Sequence, residues 1–129
     1  MGPHGEFQLS LEGCFITSTL SGCFNEKGAY AYTHALRALI ESLNGARFVI
    51  LINNLNVEGG TPEAFDILDL HNQWVSEQNI VAKAIVCHSQ ALIHIMMSRV
   101  PSVKQQNLAM FTSLSEAKIW LHSFLSSAE

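Results

Sequence analysis

The segment from Phe48 to Phe65 constrains the fold more than any other part of the chain. It opens with Phe-Val-Ile-Leu-Ile, an unbroken apolar run, and then meets Asn53 and Asn54. A strand over Arg47 to Asn53 that lacks apolar–polar alternation is buried on both faces, so helices are expected on both sides of its sheet. A polar loop, Asn53 to Thr61, is expected next, with Gly59 and Gly60 in turn conformations. Thr61-Pro62-Glu63 then opens a helix, because threonine caps an N-terminus and proline loses nothing at the first helical position. Strand, loop and helix N-terminus in this order place the loop at the carboxyl edge of an open α/β sheet, where ligands and partners usually bind.

The remaining elements build outward from this unit. Phe7, Leu9 and Leu11 alternate with Gln8, Ser10 and Glu12, the period-two pattern of a half-buried strand. A turn at Gly13 joins it to a β-prone stretch, Cys14 to Leu20, as a hairpin. Ser21 to Asn25 is expected to break that strand. A helix from about Asn25 to Leu43 follows, with Tyr32, Leu36, Leu39, Ile40 and Leu43 on one stripe and Asn44-Gly45 as its stop. The helix after Thr61 places Phe65, Leu68, His71, Trp74 and Val75 on one side and Asp66, Asp69, Gln73 and Glu77 on the other. A second buried strand spans Val81 to Cys87. His88-Ser89-Gln90 caps a helix that presents Leu92, Ile95 and Met96 and ends at Pro101. Leu108 to Phe111 is a short strand, and Ser113 to Glu116 is a capping box before the last helix. The order β-β-α-β-α-β-α-β-α predicts an α/β fold: a hairpin, then βαβ units, in a mixed, largely parallel sheet with helices packed on it.

Composition sets the outer bounds. The chain has 129 residues, 48% of them apolar and 14% charged, which suits a single domain with a real core. The expected domain is 1–129, with a flexible lead at 1–5 and a frayed tail at 126–129. Mean hydropathy is +0.20, yet no apolar run approaches the ~20 residues of a membrane span. Net charge is −4 with scattered lysines and arginines, which argues against nucleic acid. The three cysteines (Cys14, Cys23, Cys87) follow no paired spacing and suggest reduced thiols in a cytoplasmic protein. No signal-peptide pattern is visible at the N-terminus.

At this point the chain resembles the SpoIIAA-like family, a STAS-related group tied to the Sec14 or CRAL-TRIO lipid-binding fold. The resemblance rests on Phe48 to Asn53 leading into Glu58-Gly59-Gly60-Thr61-Pro62-Glu63-Ala64, on Val81 to Val86 before a helix, and on Ser115-Glu116-Ala117 with Trp120-Leu121. It implies a STAS/SpoIIAA-like fold and a binding role. In anti-anti-sigma STAS proteins the third strand ends in an acidic residue, and a phosphorylatable hydroxyl follows at the next helix N-terminus. Here Asn53-Asn54 stands in the acidic place, and Thr61 is the matching hydroxyl.

Candidate chemistry is sparse. Thr61 reads first as a helix cap and second as a phosphosite, where Glu58 and Glu63 would repel the phosphate that the helix N-terminus attracts. Cys87, His88 and Ser89 end the second buried strand on the same edge. Adjacent strand residues point to opposite faces, so Cys87 and His88 are not expected to pair as nucleophile and base. Cys87 reads as a buried small residue and Ser89 as a cap. The six histidines show no metal-ligand spacing, and neither a metal nor a cofactor is expected. Met96, Met97 and Val100 read as core filling, with a dimer seam or acyl-chain pocket as the sharper alternative.

The expected protein is therefore a non-enzymatic binding or regulatory domain. Its working edge is Asn53, Asn54, Glu58, Thr61, Cys87, His88 and Ser89. Its partner is another protein, a second copy of the chain or a small amphipathic ligand such as a lipid, without stable membrane insertion. Two alternatives stand beside it: a Sec14-type lipid carrier, which requires an enclosed apolar cavity of ~300 Å³ or more, and a small enzyme using Cys87, His88 or Ser89.

Overall fold

A computed structural model describes residues 2–126. Met1 of the expected lead and residues 127–129 of the expected frayed tail lie outside the described residues.

The hairpin pairs β1 (Glu6–Glu12) with β2 (Phe15–Phe24) antiparallel, from Glu6↔Ser21 to Glu12↔Phe15. Helix α1 (Glu26–Glu41) carries the chain to β3 (Phe48–Gly60), and α2 (Pro62–Ser76) carries it to β4 (Ile80–Val86). Helix α3 (Gln90–Arg99), a short 3-10 turn (Pro101–Gln105), β5 (Leu108–Phe111) and α4 (Leu114–Ser126) complete the fold. The strands lie in sequence order, β1-β2-β3-β4-β5, and every pair after the hairpin is parallel.

Both faces of the sheet are covered, as the unbroken apolar run in β3 requires. On one face Ile16, Leu20, Phe48 and Ile50 pack with Tyr32, Leu36 and Ile40 of α1 and Val75 of α2. On the other, Val49, Leu51, Ala82, Ala84 and Val86 pack with Ala117 and Leu121 of α4. The small alanines of β4 let α4 sit close to the sheet.

Two expectations about the strands are overturned. The segment Asn53 to Thr61 is not a free loop, and β2 does not stop at Leu20. Each strand continues because the other does: Ser21 pairs with Asn56, Gly22 with Val57, Cys23 with Gly59 and Phe24 with Gly60. Backbone pairing satisfies polar groups that a loop would leave to water. The register shifts between Thr19 and Ser21, where Asn53 Oδ1 accepts from Leu55 N at 3.1 Å. Asn53 thus supports an irregularity in the pairing of β3 that does not end the strand.

The start of α1 is held by two chain segments. Asn25 Oδ1 accepts from Gly28 N at 2.8 Å, as an N-cap, and also from His4 N at 2.9 Å. Asn25 Nδ2 donates to Gly2 O at 3.0 Å. His4 lies so close that a Cβ on Gly28 would sit 1.8 Å from its carbonyl oxygen.

Candidate functional site

The carboxyl edge is organised by two helix starts. Thr61 caps α2, its side chain accepting from Ala64 N at 3.1 Å, and its own N–H donates to Phe24 O at 2.9 Å. Ser89 caps α3, accepting from Leu92 N at 3.2 Å. Between them a shallow cleft of about 250 Å³ is lined by Glu58, Gly60, Phe65, Leu92, Ile95 and Arg99. Arg99 Nη2 closes one side, donating to Pro62 O at 3.3 Å and reaching Asp66 Oδ1 at 3.4 Å. Both partners of that ion pair are largely exposed, so it orients more than it stabilises.

The other candidates on this edge separate. Cys87 is buried, with Sγ near Ser89 O at 3.7 Å. His88 Nε2 lies 3.0 Å from Thr112 O. A carbonyl only accepts, so Nε2 carries the proton and donates. Cys87 and His88 therefore make contacts of their own rather than a thiol–imidazole pair. Asn53 and Asn54 also part, being adjacent on a strand: Asn53 turns back on Leu55 N, while Asn54 lines a cavity on the α1/α2 side of the sheet.

That cavity holds the polar chemistry that the sequence reading passed over. Its centre is Lys83, in the middle of β4 and only 2% exposed. Register places Lys83 opposite Ile50, hence on the face covered by α1 and α2. Its Nζ donates to Asn72 Oδ1 at 2.5 Å. Gln106 Nε2 donates to the same oxygen, to Asn72 O and to Ser76 Oγ, each at 3.2 Å. The 3-10 turn is tied down by Ser102, whose N–H and Oγ donate to Asp69 Oδ1 at 3.0 and 2.7 Å. Burial alone would raise the Asp69 carboxyl, but these bonds and one from Gln73 hold it below the ordinary carboxylate value.

Burial dominates the electrostatics of the cavity. It pushes the Lys83 amine down to about 7. His71 is pushed down to about 3 by burial first, and then by the charges of Lys83 and Arg37. Arg37 stacks over Trp74, with its guanidinium carbon 4.3 Å from the ring centroid. Tyr32 is pushed up to about 12 by burial, against the lowering effect of its hydrogen bond to Ser18 Oγ at 3.0 Å. His71 and Tyr32 are thus neutral at physiological pH. Asn54 Oδ1 and His71 Nε2 are buried with no hydrogen-bond partner among the described residues. The cavity has a volume of about 50 Å³, and its remaining wall is apolar, including Leu68, Met96 and Val100.

One signal for this cluster stood in the sequence: a lysine inside a run that must be buried on both faces. Its partners carry no such signal, because Asn72 and Gln106 look like ordinary polar residues of a helix and a loop.

The backbone fold recurs in solved structures. An uncharacterized protein with a SpoIIAA-like fold from Shewanella loihica superposes with a TM-score of 0.67 at 15% identity, over 92% of this chain and 94% of that one. The fold is SpoIIAA-like. An anti-sigma factor antagonist from Mycobacterium paratuberculosis shares the SpoIIAA-like architecture, with a TM-score of 0.66 at 13% identity, over 92% of this chain and 95% of that one. No family profile and no curated protein matches the sequence. Among the described residues of this SpoIIAA-like chain, no helix is long and apolar enough to cross a membrane. None of its described histidine, cysteine and acidic residues form a group of three or more able to hold a metal.

Proposed function

We propose that this is a cytoplasmic, non-enzymatic regulatory domain of the STAS type that binds a protein partner at the carboxyl edge of its sheet. The observation that carries this reading is the cleft between the starts of α2 and α3. It offers apolar side chains (Phe65, Leu92, Ile95) on an otherwise polar edge, and Ile95 is 39% exposed. None of the residues of α3 is buried, so this helix has side chains to spare for a partner. The antagonist from Mycobacterium paratuberculosis, which acts on a protein partner by its name, supports the same reading.

Thr61 serves this edge as a helix cap. A phosphate on it would meet free N–H groups of α2 but also Glu58 and Glu63, so phosphorylation is the secondary role. The Sec14-type alternative is disfavoured, because the cavity around Lys83, at about 50 Å³, is far below the ~300 Å³ of typical ligand pockets.

The test is photo-crosslinking in cells from a benzophenone amino acid at position 95. A single heterologous adduct, lost when Leu92→Asp is added, is the expected result. A self-adduct alone would assign the edge to homodimerisation. No adduct in a folded, well-expressed protein would also sink the partner reading.

A further inference from the structure

The cavity behind Met96 has binding capacity that a partner at the edge does not use. Lys83 spends one N–H on Asn72 Oδ1, which leaves two N–H groups on a protonated amine. No ion pair to Lys83 is found among the described residues, so no described carboxylate balances it. Asn54 and His71 line the same cavity, each with a buried polar atom that finds no partner in the described protein. Tyr32 and Asn72 also line it, with their polar groups already engaged, and the rest of the wall is aliphatic. An ammonium without a counter-charge, two spare polar groups and an apolar remainder in a small volume define one class of ligand.

We propose that this cavity binds a small monocarboxylate, acetate to butyrate in size, with its carboxylate on Lys83, His71 and Asn54 and its alkyl end against Leu68, Met96 and Val100. The amide of Asn54 can turn its Nδ2 inward and His71 can carry its proton on Nε2, since neither choice is fixed by another bond at those atoms. Three donors then meet two carboxylate oxygens. Water could satisfy Asn54 and His71 but would bring no charge to Lys83. Inorganic phosphate carries more charge than one ammonium neutralises and has no apolar end. The long acyl chain of a membrane lipid exceeds about 50 Å³. Met96, one of the lining residues, is a flexible side chain on a helix without a buried residue.

Binding requires the charged form of Lys83. The other titratable groups facing the cavity, His71 and Tyr32, remain neutral through the working range, and Arg37 beyond His71 remains charged. Affinity should therefore fall as pH rises above about 7, approaching tenfold per pH unit.

The experiment is a titration of the full-length protein with acetate, propionate, butyrate and inorganic phosphate. Amide shifts and calorimetry would be followed at pH 6 and 8.5 for the native protein, Lys83→Met and Asn54→Leu. Saturable shifts on β4 and α2 are expected at pH 6, strongest with butyrate. Binding should weaken at least tenfold in Lys83→Met and at pH 8.5, and disappear in Asn54→Leu, which fills the cavity. No saturable change at tens of millimolar, unchanged affinity in Lys83→Met, or preference for phosphate would overturn the proposal. Thermal melts report whether each variant is folded. Neither variant touches Leu92 or Ile95, so this failure is separable from a failure of the partner reading.

Discussion

The sharpest quantitative consequence of the fold concerns Lys83→Met. The amine is 2% exposed and titrates near 7 rather than at its ordinary 10.5. An unfolded chain binds this proton up to pH 10.5, while the folded chain releases it near 7. The unfolded state therefore holds more protons between these values, and stability rises with pH across that window. At ~1.4 kcal/mol per pH unit, the penalty of keeping Lys83 charged below pH 7 reaches about 5 kcal/mol. Methionine has a similar length and no charge. It forfeits the bond to Asn72 Oδ1, worth about 1–2 kcal/mol, but that oxygen keeps its bond from Gln106 Nε2. The variant should thus exceed the native protein by about 3 kcal/mol at pH 6. The advantage should shrink as pH approaches 10. Urea unfolding of both proteins at several pH values measures the difference directly, and groups common to both cancel. A difference that does not change with pH, or a variant less stable than native at pH 6, would refute the reasoning.

Other outcomes follow from the caps and contacts. Thr61→Ala should cost ~1 kcal/mol by urea unfolding, while Thr61→Ser should be nearly neutral, because only the hydroxyl is needed. Gly28→Ala places a methyl against the His4 carbonyl, so it should destabilise by about 1–3 kcal/mol despite alanine's better helix propensity. Hydrogen exchange should then show β1 and the start of α1 opening faster. Ser18→Ala removes the partner of the buried Tyr32 hydroxyl and should cost about 1–3 kcal/mol. Ultraviolet titration should show the phenol ionising still higher than in the native protein, since the hydrogen bond with Ser18 is what opposes the upward push of burial.

Much of the architecture was legible in the sequence because local chemistry agreed with the global fold. Thr61 and Ser89 were readable as caps from residue type and position, and each makes its cap bond. The short strand Leu108–Phe111 was bounded by polar neighbours and appears as read. Pairing was not legible where it depended on a distant segment. The ends of β2 and β3 look like loops, rich in Gly, Ser and Asn, and become strands only by lying against each other. The paired asparagines looked like one polar terminus, but the alternation of a strand sends one to a backbone irregularity and the other to the cavity. Lys83 was visible as a contradiction in an apolar strand, whereas Asn72 and Gln106 become its neighbours only through the packing of α2 and the 3-10 turn. His71 was legible as a residue beside the apolar face of its helix, but not as one left with an unpaired nitrogen.

The double cap on α1 ties two distant events in folding together. Asn25 holds His4 and Gly2 across more than twenty residues of chain, and those residues precede β1. They cannot reach Asn25 until the hairpin has closed and brought Gly2 and His4 beside the end of β2. The first turn of α1 therefore gains its full set of partners only after β1 has paired. Hairpin and helix should then melt as one cooperative unit. A fusion that pulls His4 away would loosen both together, even though it touches neither the core nor the carboxyl edge.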